Sequence, residues 1–96
     1  ALKTAKVLQA EKVEGADKLL KLQIEVGGEK RQIVSGIAAW YTPDSLTGKT
    51  VVIVSNLKPA VIRGVESNGM LLAAKQGKEL KLVTVDGEIA SGAQVG

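Results

Sequence analysis

Between Asn56 and Met70 the chain gathers Asn56, Lys58, Arg63 and Ser67, side chains that all donate hydrogen bonds. Gly64 and Gly69 interrupt the same span, so the backbone there can take positive φ or approach a ligand closely. Cationic and neutral donors so placed suit phosphate oxygens and base edges. They suit bond-breaking chemistry poorly, and the rest of the inventory adds little. The chain has no histidine and no cysteine. That removes the commonest general base, the thiolate nucleophile and the usual soft metal ligands. Glu11, Glu14 and Asp17 are interleaved with Lys12 and Lys18, while Asp86 and Glu88 flank a turn glycine. Both groups read as solvated loop charges rather than an acid–base pair. No catalytic residue, metal ligand or cofactor is assigned.

Two other stretches invite a functional reading. "LTGKT" (46–50) resembles the end of a phosphate-binding P-loop, but the position that should hold the first glycine is Pro43, which has no amide hydrogen. A strand also follows where the motif needs a helix, so the segment is read as a turn into that strand. Trp40 and Tyr41, the only aromatic residues, could stack on a base. The favoured reading places Trp40 at the end of the barrel beneath a short helix, with Tyr41 the more exposed of the two. The residues 56–74 likewise admit an ordinary solvated connection, with Asn56 and Pro59 as turn formers.

The elements that must position these groups are mostly strands. "KLLKLQIEV" puts Leu20, Leu22, Ile24 and Val26 on one face and Lys21, Gln23 and Glu25 on the other, the period of a half-buried antiparallel strand. Gly27-Gly28 marks a hairpin turn, and "EKRQIVS" is the return strand. "KTAKVLQAEKV" precedes them, and "TVVIV", "GMLLAA" and "ELKLVTV" follow. Between "IVSG" and "TVVIV", Thr42-Pro43-Asp44 carries helix-start chemistry: an N-cap, Pro at the first position and an early acid. This order predicts an all-β OB-fold, a five-stranded Greek-key barrel with a short helix between strands 3 and 4 and a C-terminal extension. Residues 1–96 read as one domain. An apolar fraction of 45% and a net charge of +3 describe a folded, mildly basic chain. No apolar run approaches the roughly 20 residues of a membrane helix, and no signal peptide is evident, so a cytoplasmic setting is expected.

The sequence resembles the tRNA-binding domain family. The resemblance rests on Ala16-Asp17-Lys18-Leu19, Ile33-Val34-Ser35-Gly36, Asn56-Leu57-Lys58-Pro59, Arg63-Gly64 and Ser67-x-x-Met70, with Tyr41-x-Pro43-x-x-Leu46-x-Gly48-Lys49 between them. It covers essentially the whole chain. The family includes the C-terminal domain of many methionyl-tRNA synthetases, free-standing bacterial tRNA-binding proteins and EMAP-II-like modules. The resemblance implies a non-catalytic OB-fold that binds tRNA, raises the affinity of a synthetase catalytic body in cis, and pairs as a homodimer. A chain that stops at Gly96 lacks the added domain of the EMAP-II-like forms, hence the dimeric expectation.

The same resemblance places tRNA contacts on Asn56, Lys58, Arg63, Ser67 and Met70. Met70 has an equal claim to the core. Lys21 and Arg31, expected on the outward faces of strands 2 and 3, are supporting contacts. Val61 stands where relatives often carry lysine. With so few aromatics, phosphate and shape recognition is expected over stacking, with broad tRNA recognition and affinity that falls as salt rises. The first strand and residues 80–95 are the expected dimer contact, because a five-stranded barrel does not require that tail. The alternatives are a free-standing tRNA-binding protein and a module that chiefly oligomerises.

Overall fold

The computed structural model describes all 96 residues. β1 (Leu2–Val13), β2 (Ala16–Val26) and β3 (Glu29–Ser35) form a meander, and α1 (Pro43–Leu46) leads into β4 (Thr50–Val54). Two short strands, β5 (Ala60–Ile62) and β6 (Val65–Ser67), make a separate hairpin before β7 (Met70–Leu71). β8 (Ala73–Gln76) and β9 (Glu79–Leu82) form a second hairpin, and β10 (Gln94–Val95) returns to β1.

The main sheet runs β3-β2-β1-β4-β7. It closes into the expected OB barrel where the Asn68 amide donates to the Gln32 carbonyl at 2.7 Å, bringing the β6–β7 junction against β3. Leu8 is an extra residue in β1, a bulge between Val7 and Gln9 in the pairing with β2. Such a bulge bends its strand, which a small barrel needs. The alternation in β2 turns Leu20, Leu22, Ile24 and Val26 inward. They meet Ala5, Val7, Ile33, Val51 and Ile53 in one aliphatic core. Burying each large aliphatic side chain contributes about 1.5–3 kcal/mol.

α1 is capped as its sequence predicts. Thr42 accepts from the Ser45 amide, and the Ser45 hydroxyl accepts from the Thr42 amide. The helix inserts fully buried Leu46, which with Ile37 fills the barrel end. Trp40 does not do this. It is 36% exposed and its indole N–H donates to the Lys78 carbonyl at 2.9 Å. Tyr41 is instead the inner aromatic, packed on the core with its hydroxyl accepting from the Leu82 amide. The two roles are thus the reverse of the expected ones. Aliphatic Leu46 fits a dry barrel end, whereas an indole needs a partner for its N–H.

The tail is also more deeply engaged than expected. Thr4, buried on the outer face of β1, is held by residues 90–93 through its amide, carbonyl and hydroxyl. The Thr4 amide donates to Ala93, the Gly92 amide to Thr4, and the Thr4 hydroxyl to Ala90. β10 then pairs with β1 at Leu2 and Lys3, beyond the reach of β2. The barrel uses its tail to complete the edge of β1. No helix is long and apolar enough to cross a membrane.

Candidate nucleic-acid interface

The segment after β4 is a short exposed loop, Asn56 to Pro59, leading into the β5–β6 hairpin. That hairpin was not evident from the residues, although Ala60-Val61-Ile62 and Val65-Glu66-Ser67 flank a two-residue turn. Asn-Gly or Asp-Gly is the usual signal there, and Arg63-Gly64 obscures it. Both turn residues have positive φ, 52° at Arg63 and 79° at Gly64, and Arg63 is the only non-glycine residue in that conformation. Left-handed backbone at a non-glycine residue costs on the order of 1 kcal/mol.

The hairpin lies against β3. The Gln32 side-chain amide donates to the Glu66 carbonyl at 2.8 Å and accepts, through Oε1, from Gln23 at 2.9 Å. Gln32 is therefore a positioning residue that sequence reasoning missed. Its place is set by the register Gln23↔Gln32, which no local pattern reveals.

Of the residues singled out in the sequence, Asn56, Lys58, Arg63 and Met70 are exposed, Met70 at 55%. Lys58 and Arg63 belong to no ion pair. Met70 sits opposite Val54 in the β4–β7 pairing and is a surface residue, not a core one. The Asn56 Oδ1 accepts from the amino group of Ala1. Val61, 71% exposed on β5, adds an apolar patch beside them.

The other three residues are differently placed. Ser67 is 4% exposed, and its hydroxyl accepts from the Val34 amide at 2.9 Å while donating to the Gly69 carbonyl. It fastens the hairpin to β3 and offers nothing to a ligand. Ser67→Ala should leave the buried Val34 N–H without a partner and lower stability by about 1–3 kcal/mol. Urea unfolding measures that loss, and the folded variant should keep its affinity for nucleic acid.

Arg31 is not on the outward face of β3. It lies opposite Ile24 on the face that also carries Ile33. There its guanidinium donates to the Ser55 carbonyl at 2.6 Å and pairs with Glu29 at 2.8 Å. The hairpin return after Gly27-Gly28 sets this parity, and it braces the start of the 56–59 loop. Lys21 does face outward, paired with Glu11 at 2.7 Å, and it lines a cleft of mixed charge with Lys12, Arg63, Glu11 and Glu14. The fold thus joins Arg63 to Lys21 at one end of the hairpin and gathers Arg31, Asn56 and Met70 around Ser55 at the other. At 48–50 the chain turns into β4 with no helix following, which closes the P-loop reading. No cluster of acidic side chains suited to a metal ion is present.

Comparison with known proteins identifies the family and the fold. The model of the tRNA binding domain family matches residues 2–94. The chain is 62% identical over 94 residues to methionine–tRNA ligase of Thermotoga maritima, covering 98% of this chain and 15% of that protein. It is 50% identical over 94 residues to the Bacillus subtilis methionine–tRNA ligase, covering 98% of this chain and 14% of the relative. The chain therefore spans about a seventh of the curated relatives it matches. Among solved structures, a MetRS-related protein from Pyrococcus horikoshii superposes with a TM-score of 0.92 at 42% identity, over 98% of this chain and 87% of that one. The chaperone CsaA from Bacillus anthracis shares the fold, with a TM-score of 0.90 at 24% identity, over 99% of this chain and 89% of that one.

Proposed function

Because the chain belongs to the tRNA binding domain family, we propose that it binds tRNA without catalysing a reaction, through phosphate and shape recognition. The observation that carries this reading is Arg63. A cation is kept at a hairpin tip in a backbone conformation that glycine or asparagine would occupy at less cost, and it makes no ion pair within the chain. Lys58, also exposed and unpaired, precedes it on the same loop–hairpin unit. Asn56, Met70 and Lys21 border the surface, with Arg31, Gln32 and Ser67 holding its frame.

In this reading the chain is the C-terminal appendage of a cytoplasmic methionine–tRNA ligase and raises the affinity of the catalytic body for tRNA in cis. The two ligases at 62% and 50% identity support that setting. A homodimer is the proposed assembly. Leu8 on β1 and Val83 and Ile89 in the C-terminal extension, all exposed, support a contact there. A free-standing tRNA-binding protein is the second reading, supported by the fold and 42% identity shared with the MetRS-related Pyrococcus protein, of which the match covers 87%.

A gel-shift titration of the 96-residue chain with unfractionated tRNA tests the proposal. Binding should be broad across tRNA species, and log affinity should fall linearly with log salt by about 0.7–0.9 per phosphate contact. Sedimentation of the same preparation at micromolar concentration should give the mass of two chains. A chain that sediments as a dimer yet shows no tRNA binding would leave oligomerisation as its only role.

A further inference from the structure

The β8–β9 hairpin carries a second concentration of charge, apart from the surface just described. Lys75, Lys78 and Lys81 lie on it; Lys75 stands opposite Leu80 and Lys81 opposite Ala74, so these two point to opposite faces, and Lys49 lines a cleft with Lys81. None of the four makes an ion pair, and Glu79 is the only acid on the hairpin. The ring of Trp40, 36% exposed, is held beside Lys75 and Lys78. Its N–H is anchored on the Lys78 carbonyl, and the Lys75 ammonium sits 5.3 Å from the ring centroid.

Burying unpaired ammonium groups against an ordinary protein face would strip their hydration without return. A polyanion offsets that cost, and an anchored indole adds a stacking face at little entropic loss. β7 runs on into β8, so Lys75, five residues beyond Met70, lies at most about 17 Å from it. Along one strand of a duplex that distance takes in roughly five phosphates. We propose that Trp40, Lys75 and Lys78 form a second phosphate-contact surface for tRNA, separate from the one around Lys58 and Arg63. It rests on the tRNA-binding reading and extends it.

The test compares two variants of the 96-residue chain that lose the same charge. Lys75→Gln with Lys78→Gln removes two cations of the patch. Lys30→Glu changes the charge by the same amount at one exposed site on β3, opposite Glu25. With unfractionated tRNA the patch variant should show a log–log salt slope shallower by roughly 1.4–1.8, and the control should stay near the parent slope. Trp40 is the only tryptophan, so its emission in the parent chain should respond to saturating tRNA. If both variants change equally, or Trp40 emission ignores bound tRNA, the second surface is overturned while the first stands. If the parent chain binds no tRNA, both readings fall together.

Discussion

Lys58→Ala combined with Arg63→Ala should weaken tRNA binding roughly 10- to 100-fold at low salt, about 1.4–2.8 kcal/mol, and flatten the salt slope by roughly 1.4–1.8. The two side chains are exposed, unpaired and outside the core, so the thermal midpoint should not move. The backbone at Arg63 sharpens the experiment. Arg63→Asn keeps a residue that tolerates the left-handed region and removes the charge. It should hold or slightly raise stability while weakening binding. A structural role for Arg63 gives the opposite pattern, stability lost and affinity kept. Unchanged affinity in the double variant would remove this loop–hairpin unit from the interface.

Gly92→Ala should cost about 3 kcal/mol or more, a large share of the roughly 5–15 kcal/mol that holds a domain folded. Gly92 has φ +84°, and a Cβ there would stand 2.6 Å from the Cα and 2.7 Å from the amide nitrogen of Gly27. Those are backbone atoms of the β2–β3 turn and cannot swing aside. Relief means lifting residues 90–93, which also hold Thr4 and, through Ser91, the Gly27 amide and the Glu25 carboxylate. Gly64→Ala is the matched control, since its φ is +79° but nothing stands within 4 Å of the new Cβ. It should cost only about 1 kcal/mol, the conformational part alone. Urea unfolding of both variants separates the clash from the backbone preference. Equal losses would mean that the tail gives way without consequence.

Much of the barrel was legible in the chain because its determinants are local. The period of two in residues 18–26 places Leu20, Leu22 and Ile24 inside. Gly27-Gly28 fixes the β2–β3 hairpin, and Thr42-Pro43 starts the helix where it is found. The candidate surface was legible in part. Asn56, Lys58 and Arg63 lie in a loop and at a turn tip, and such places leave polar side chains in solvent.

The remaining assignments depended on contacts between residues far apart in sequence. Ser67 reads as a free hydroxyl until β3 arrives and presents the Val34 amide, and Arg31 reads as outward until its register with Ile24 is known. Trp40 and Tyr41 are neighbours that no pattern could rank. Their places were decided by Leu46, which fills the barrel end, and by the β8–β9 hairpin, which supplies a carbonyl for one and an amide for the other. By itself the sequence determined the long strands, the inward face of β2 and the family, because period, turn chemistry and motif order are properties of neighbouring residues. Only the tertiary structure decided which polar side chains face a ligand and which serve the fold. A hydrogen-bond donor looks the same in sequence whether its acceptor belongs to a distant strand or to an incoming molecule.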